Sequence, residues 1–153
     1  VKWPAANSVG GKGNEGVAAH VNRVKGSVGY VEYAYAKKNN IPHLQMRNRD
    51  GKFVDPDDKT FAAAAAGADW FSVPGMGISL VNLRGADSWP ITGASFILMY
   101  KNPTDKAMSQ DVLKFFDWSF KNGKQMALEL DYVPLPDVLT KAITEKVWTQ
   151  IAK

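Results

Sequence analysis

Apolar positions recur along this chain with two different periods, and the change from one to the other sets out a series of helices and short strands. Val17, Val21 and Val24 lie at helical spacing, so a helix over 14–24 has one apolar face. The glycine-rich run Gly10-Gly11-Lys12-Gly13 precedes it. Asn14 is placed to cap it, because an Asn side chain can accept from an orphan amide of the first turn. Gly26-Ser27 stops that helix. Val28-Gly29-Tyr30-Val31 has strand composition, and residues 27–31 are predicted as a strand running into a second helix over 32–38. Asn39-Asn40 closes this helix and Ile41-Pro42 breaks the pattern. Loop, helix, turn, strand, helix is the grammar of an α/β protein.

Alternation returns over 43–47, which reads as a strand. The turn Asn48-Arg49-Asp50-Gly51 carries an Asp-Gly hairpin signal and leads to a partner strand over 52–54. Asp55-Pro56-Asp57-Asp58 opens a helix, with Asp55 as cap, Pro56 in the first helical position and the next two aspartates facing the positive helix end. An alanine-rich run over 61–66 continues it to Gly67, and residues 71–85 show no clear period and read as loop. Residues 91–100, ITGASFILMY, are the most strand-like of the chain. After a turn over 102–106, Ser109 is placed to cap a helix to Lys121 with Val112, Phe115, Phe116 and Phe120 on its apolar side. Gly123 ends or kinks it, and a further helical segment covers 124–130. Beyond Pro134 and Pro136, a last helix over 137–151 offers Val138, Ile143 and Val147 to a core. Residues 1–12 read as a short strand and a loop.

With 153 residues, 45% hydrophobic and 11% aromatic, the chain has the size and composition of a globular domain with a core. The net charge of +4 is dispersed, with acids near most lysines. No Lys/Arg stripe is present, so a solvated mixed surface is expected and no nucleic-acid partner. A mildly positive surface still suits an anionic ligand. The absence of cysteine excludes disulfides, thiolate metal sites and cysteine catalysis in this chain. No run reaches the roughly 18 apolar residues of a membrane-spanning helix. The chain starts with Val1 and shows no signal-peptide pattern, which leaves both cleavage and a partial parent open.

Candidate chemistry centres on the loop 10–16. Gly11-Lys12-Gly13-Asn14-Glu15-Gly16 has the spacing of a dinucleotide fingerprint, but only a short strand precedes it. No acid ends a second strand about 20 residues on, as that motif requires. The Gly-Lys-Ser/Thr ending of a P-loop is also missing. Two readings stay open. One is a tight turn with close helix packing; the other is an anion site at a helix N-terminus, contacted by Gly11, Gly13 and Asn14. His20 and His43 lie far apart, without a carboxylate at ligand spacing, and neither a metal nor a cofactor is expected. Asp55, Asp57 and Asp58 are explained by helix capping, and Asp117, Glu129 and Asp131 by surface roles. Tyr30, Tyr33 and Tyr35 could line a sugar-like pocket, but packing accounts for them.

The same residues carry a resemblance. GGKGNEGVAAHV followed by GSVGYVEYAYAKKNN resembles the Pst-type phosphate-binding proteins, the periplasmic receptors of phosphate ABC importers. The opening VKWP, residues 61–70, Trp89-Pro90-Ile91-Thr92 and the run VLKFFDW over 112–118 fit that family in the same order. Members of the family are longer, and the chain resembles their C-terminal half. The resemblance implies an α/β, periplasmic-binding-protein-like (type II) two-lobe fold, of which this chain supplies part of each lobe. Residues 1–90 correspond to the C-terminal part of the second lobe. Residues 91–153 correspond to a return segment, strand plus helices, that completes the first.

The resemblance further implies a non-enzymatic, periplasmic protein. It would bind inorganic phosphate together with its N-terminal half and deliver it to the membrane permease of the importer. Such receptors trap one dehydrated phosphate between closing lobes, held by backbone amides, hydroxyls, an arginine and helix N-termini. A buried carboxylate accepts a proton from the ligand, which sulfate cannot give. Those contacts come from the N-terminal half, including a Gly-Ser-Gly-Thr-type segment absent from this sequence. No family ligand residue therefore maps onto a numbered position here. Two rivals remain at this point: a phosphoester- or nucleotide-acting enzyme using the loop 10–16, and an interaction domain without a small ligand that exposes the face around Ile91.

Overall fold

A computed structural model describes residues 3–151. The chain separates after His43 into two units. In the first, the valine spacing behind the glycine loop produces helix α1, Gly13–Arg23, and the tyrosine-rich stretch produces helix α2, Tyr33–Lys38. Val17 and Val21 of α1 straddle Gly29, where an added Cβ would lie 2.8 Å from a methyl of each. Glycine at that position lets the segment leading to α2 lie against the apolar face of α1. The Trp3 and Tyr30 rings stack with centroids 5.9 Å apart.

Two expectations fail in this unit. Residues 27–31 are not a strand: they take no regular secondary structure. Strand composition becomes a strand only by exchanging hydrogen bonds with a neighbour, and among the described residues none pairs with them. Nor is Asn14 the cap of α1. Lys12 holds that position with an extended backbone and no side-chain bond, and Asn14 lies within the first turn. The short strand expected near the start falls partly on Val1 and Lys2, outside the described residues; residues 3–12 contain none.

The second unit opens on a hairpin. Strand β1, Met46–Arg47, pairs antiparallel with β2, Phe53–Val54, in the register Met46↔Val54 and Arg47↔Phe53. Both strands are shorter than the alternation suggested. The turn between them closes at Gly51, whose φ of 80° is a conformation glycine adopts without steric cost. Helix α3, Asp58–Ala66, starts later than predicted. Asp57, not Asp55, is the cap, because Thr60 answers it: the Thr60 amide donates to Asp57 Oδ1 (2.8 Å) and the Asp57 amide donates to Thr60 Oγ1 (3.2 Å). This reciprocal pair satisfies two donors that the helix itself leaves orphaned.

Ala65 at the end of α3 joins Trp70, Leu80 and Leu139 in the core of this unit, and the Trp70 indole donates to the Ala65 carbonyl at 2.7 Å. Helix α4, Lys106–Asn122, is capped by Asp105, whose carboxylate accepts from the Met108 amide at 2.9 Å, so Ser109 lies inside the helix. Gly123 caps its C-terminal end and α5, Lys124–Glu129, follows. The last helix, α6 (Asp137–Lys146), is shorter than predicted and gives way to a 3-10 turn at Trp148–Gln150. Its core residue is Leu139; Val138, one position away, is 84% exposed. Trp148 stacks on Phe120 of α4 at 5.4 Å.

The largest departure concerns residues 91–100. Only Ile91 takes part in sheet pairing, through an isolated antiparallel bridge to Val81. The remainder is irregular, and Phe96, Ile97, Leu98 and Tyr100 are exposed. The fold is thus mixed helix and sheet, with helix dominant and a single two-stranded sheet among the described residues.

Candidate functional site

Gly11 precedes α1, and Gly13 and Asn14 lie in its first turn. A Cβ on Gly11 would lie 2.4 Å from the Val17 nitrogen and 2.5 Å from the Gly16 carbonyl carbon. Gly16 faces it in turn, with the position of its missing Cβ 3.0 Å from the Gly11 carbonyl carbon. The loop therefore lies directly on the helix backbone, which only a glycine pair permits. Gly13 has a φ of 66°. Gly11 and Gly16 thus have a packing role, and Gly13 a backbone conformation, that need no ligand.

Charge at this turn works against a bound anion. A Cβ on Gly13 would come within 2.8 Å of Glu15 Oε2, so this carboxylate folds back over the helix N-terminus. Asn14 is engaged at both ends of its amide: Oδ1 accepts from the Glu32 amide at 3.0 Å, and Nδ2 donates to Glu32 Oε2 at 3.3 Å. The Glu15 carboxylate thus lies beside Gly13 and that of Glu32 beside Asn14, and two carboxylates at this turn repel a further anion.

The remaining candidates stay apart. His20 is exposed on α1, and His43 is exposed and meets Tyr33 edge-on at 6.4 Å. Asp57 is consumed by capping, and Asp55 accepts from Gln45 Nε2 at 2.8 Å. Asp117 pairs with Lys121 on α4 (2.6 Å) and Glu129 with Gln125 on α5 (3.2 Å), both at helical spacing. Among the described residues no group of three or more His, Asp or Glu side chains could hold a metal ion. No helix there is long and apolar enough to cross a membrane.

One feature of the second unit escaped the sequence reading. An open cavity of about 320 Å3 is lined by Phe71, Val73, Met76, Met99, Lys101 and Lys146, among others. The Lys146 ammonium lies 4.6 Å from the centroid of the Phe71 ring. These residues come from a stretch read as loop, a stretch read as strand and the end of a helix. No spacing in the sequence links them.

The chain is 50% identical over 151 residues to the phosphate-binding protein PstS of Pasteurella multocida, an alignment covering 99% of this chain and 43% of that protein. It is 47% identical over 151 residues to the phosphate-binding protein PstS of Haemophilus influenzae, covering 99% of this chain and 45% of that protein. With the phosphate-binding protein PstS of Xylella fastidiosa it shares 48% identity over 148 residues, 97% of this chain and 40% of that protein. The chain therefore spans less than half the length of the curated relatives it matches. No protein-family model matches it.

Proposed function

Since the chain belongs to the PstS family of phosphate-binding proteins, we propose that it binds inorganic phosphate as one part of a two-lobed periplasmic receptor that serves an ABC-type importer. The observation that carries this reading is the alignment itself: half the residues are identical along 99% of the chain. A match of that length supports a shared fold far more strongly than any single motif does. Residues 1–90 belong to one lobe and 91–153 complete the other, with the chain crossing near Trp89–Thr92. The membrane permease is the receiving partner.

The direct phosphate contacts lie in the part of the receptor that this chain does not span. Two observations support this placement. The Glu15 and Glu32 carboxylates already lie at the first turn of α1, and the run 94–100 exposes Phe96, Ile97, Leu98 and Tyr100 as an apolar strip without cover. The strip is where the rest of the receptor docks and supplies the missing strand neighbour. The test is calorimetric titration of phosphate, with sulfate as control, into the ligand-stripped chain alone and into the chain joined to the remaining portion of the receptor. No heat from the chain alone and phosphate-specific heat from the joined receptor is the expected result. Micromolar binding by the chain alone overturns the placement.

A second reading keeps Gly11, Gly13 and Asn14 as the anion contacts. It is favoured by the glycine amides gathered at the start of an eleven-residue helix. Phosphate-specific heat from the chain alone that disappears in Asn14→Ala would select it. An enzyme using the same loop finds no support from its surroundings. His20 and His43 stand apart, and Asp117 is held by Lys121.

A further inference from the structure

Two side chains of the hairpin turn hold a loop that lies far along the chain. Asn48 is only 5% exposed. Its Nδ2 donates to the carbonyls of Gly85 (3.2 Å) and Ala86 (2.7 Å), while its Oδ1 accepts from the Lys52 amide at 3.0 Å. Asp50 Oδ2 accepts from the Gly85 amide at 3.0 Å. Gly85 has a φ of 133°, a conformation reserved for glycine. The turn thus satisfies both backbone polar groups of Gly85 and the carbonyl of its neighbour.

The loop so gripped is tied down along its length. Ser88 is 1% exposed, and its hydroxyl donates to the Arg84 carbonyl at 3.1 Å. The Trp89 amide donates to the Thr60 carbonyl at 3.1 Å, and its ring meets Phe61 of α3 edge-on at 6.1 Å. Asn82 donates to the Pro90 carbonyl at 2.8 Å, and Ile91 bridges to Val81. The Thr92 hydroxyl donates to the Trp89 carbonyl at 3.1 Å. Conditions change abruptly after Thr92. Gly93 is exposed, with open space where a Cβ would stand. Phe96, Ile97, Leu98 and Tyr100 are exposed, while Ala94 packs against the core, the Phe96 ring lies 6.4 Å from that of Trp70, and Met99 and Lys101 line the cavity beside Phe71 and Lys146.

We propose that Asn48 and Asp50 form a clamp that fixes residues 84–92 to the hairpin as a rigid post. Asn is required at position 48 because the clamp needs one acceptor and two donors from a single buried side chain. Aspartate has no donor when ionised, and alanine has neither. The clamp stands on this geometry alone.

Amide hydrogen exchange of the 153-residue chain, read by mass spectrometry without phosphate, tests the proposal. In the unaltered chain, peptides over 82–92 exchange slowly, like those of α3, and peptides over 94–101 exchange fast. Asn48→Asp keeps the acceptor for Lys52 and loses both donated bonds. It speeds exchange over 82–92 by on the order of tenfold and leaves α3 unchanged. Asp50→Ala, which removes the bond to Gly85 alone, gives a smaller increase in the same peptides and decides the matter if Asn48→Asp does not fold. Exchange over 82–92 that is insensitive to both substitutions, already as fast as 94–101 in the unaltered chain, or accelerated in step with α3 overturns the clamp. Since no ligand is involved, a failed clamp leaves the phosphate reading intact, and calorimetric silence leaves the clamp intact.

Discussion

Helix α3 and the run 91–100 are apolar stretches of similar length in the same unit, yet they end in opposite conditions. Ala64 and Ala65 of α3 are buried and its first turn is closed by Asp57 and Thr60. Leu98, near the end of the other stretch, is 93% exposed. A helix makes its backbone bonds within itself, so a cap and a tolerant composition suffice to define it. A strand makes its bonds with something else. Residues 91–100 hold the composition of a strand and lack the neighbour that would make them one, except at Ile91, where Val81 is in reach. The difference separates what this chain completes alone from what it leaves to a partner.

The comparison can be broken most forcefully from the completed side. Leu80 is 3% exposed and packs in one cluster with Ala65, Trp70 and Leu139. Leu80→Ala should cost about 2–5 kcal/mol, the range for emptying a buried leucine site, as read from the urea unfolding midpoint. A cost near zero would show that this core is no better packed than the exposed run. A smaller effect is expected in the first unit. Gly11→Ala drives a methyl into the Val17 nitrogen and Gly16 carbonyl carbon, which are backbone atoms and cannot rotate away. Overpacking of this kind costs about 1–3 kcal/mol. Gly10→Ala, with nothing within 4 Å, should be neutral in the same unfolding measurement. Equal behaviour of the two variants would remove the packing role of the loop.

Capping gives the next effect down. Asp57→Ala removes the acceptor for the Thr60 amide and should cost about 1 kcal/mol. Asp55→Ala, which leaves that amide paired, should cost less. If the order is reversed, α3 starts where the sequence first suggested and the capping box is incidental.

These cases also show what was legible beforehand. Helices were readable because their instructions are local. The valine spacing of α1, the aspartates before α3 and the phenylalanines of α4 each located an element, with errors at the ends and in the inward face: in α4 Leu113 is buried, whereas Phe115, expected on the apolar side, is 60% exposed. At α3 the error has a clear cause: several residues in a row could cap, and the choice fell to Asp57, which found Thr60 as a second partner. In α6 Ile143 packs against the core as expected, while Val138 was taken for the position that Leu139 holds. Strands were over-read at 27–31 and 91–100, because β composition reports a preference that only a neighbour can realise. Gly11, Gly13 and Asn14 were read as one loop at the start of α1, but nothing in the sequence says that Glu15 and Glu32 close upon it. The clamp was invisible too: Asn48 and Asp50 read as turn residues, and their partners lie 35 to 38 positions along the chain.

The smallest change in stability should come from the exposed run, and it should be accompanied by a change in association. Ile97 and Leu98 bury little in this chain, so Ile97→Ser with Leu98→Ser should shift unfolding by no more than about 0.5 kcal/mol, as at other surface positions. Their side chains nevertheless belong to a strip containing Phe96 and Tyr100, and contiguous exposed apolar surface drives self-association. Light scattering of the unaltered chain should therefore report a mass above the 16.8 kDa of a single copy, rising with concentration, and the double variant should bring it back toward that value. A double variant with unchanged stability and lowered mass would place the strip outside the folding of this unit and inside an interface. A large loss of stability would mean that the run already contributes to the core of the unit. A clean monomer before any substitution would mean that it needs no cover, and the contrast with α3 would then reduce to a difference in secondary structure.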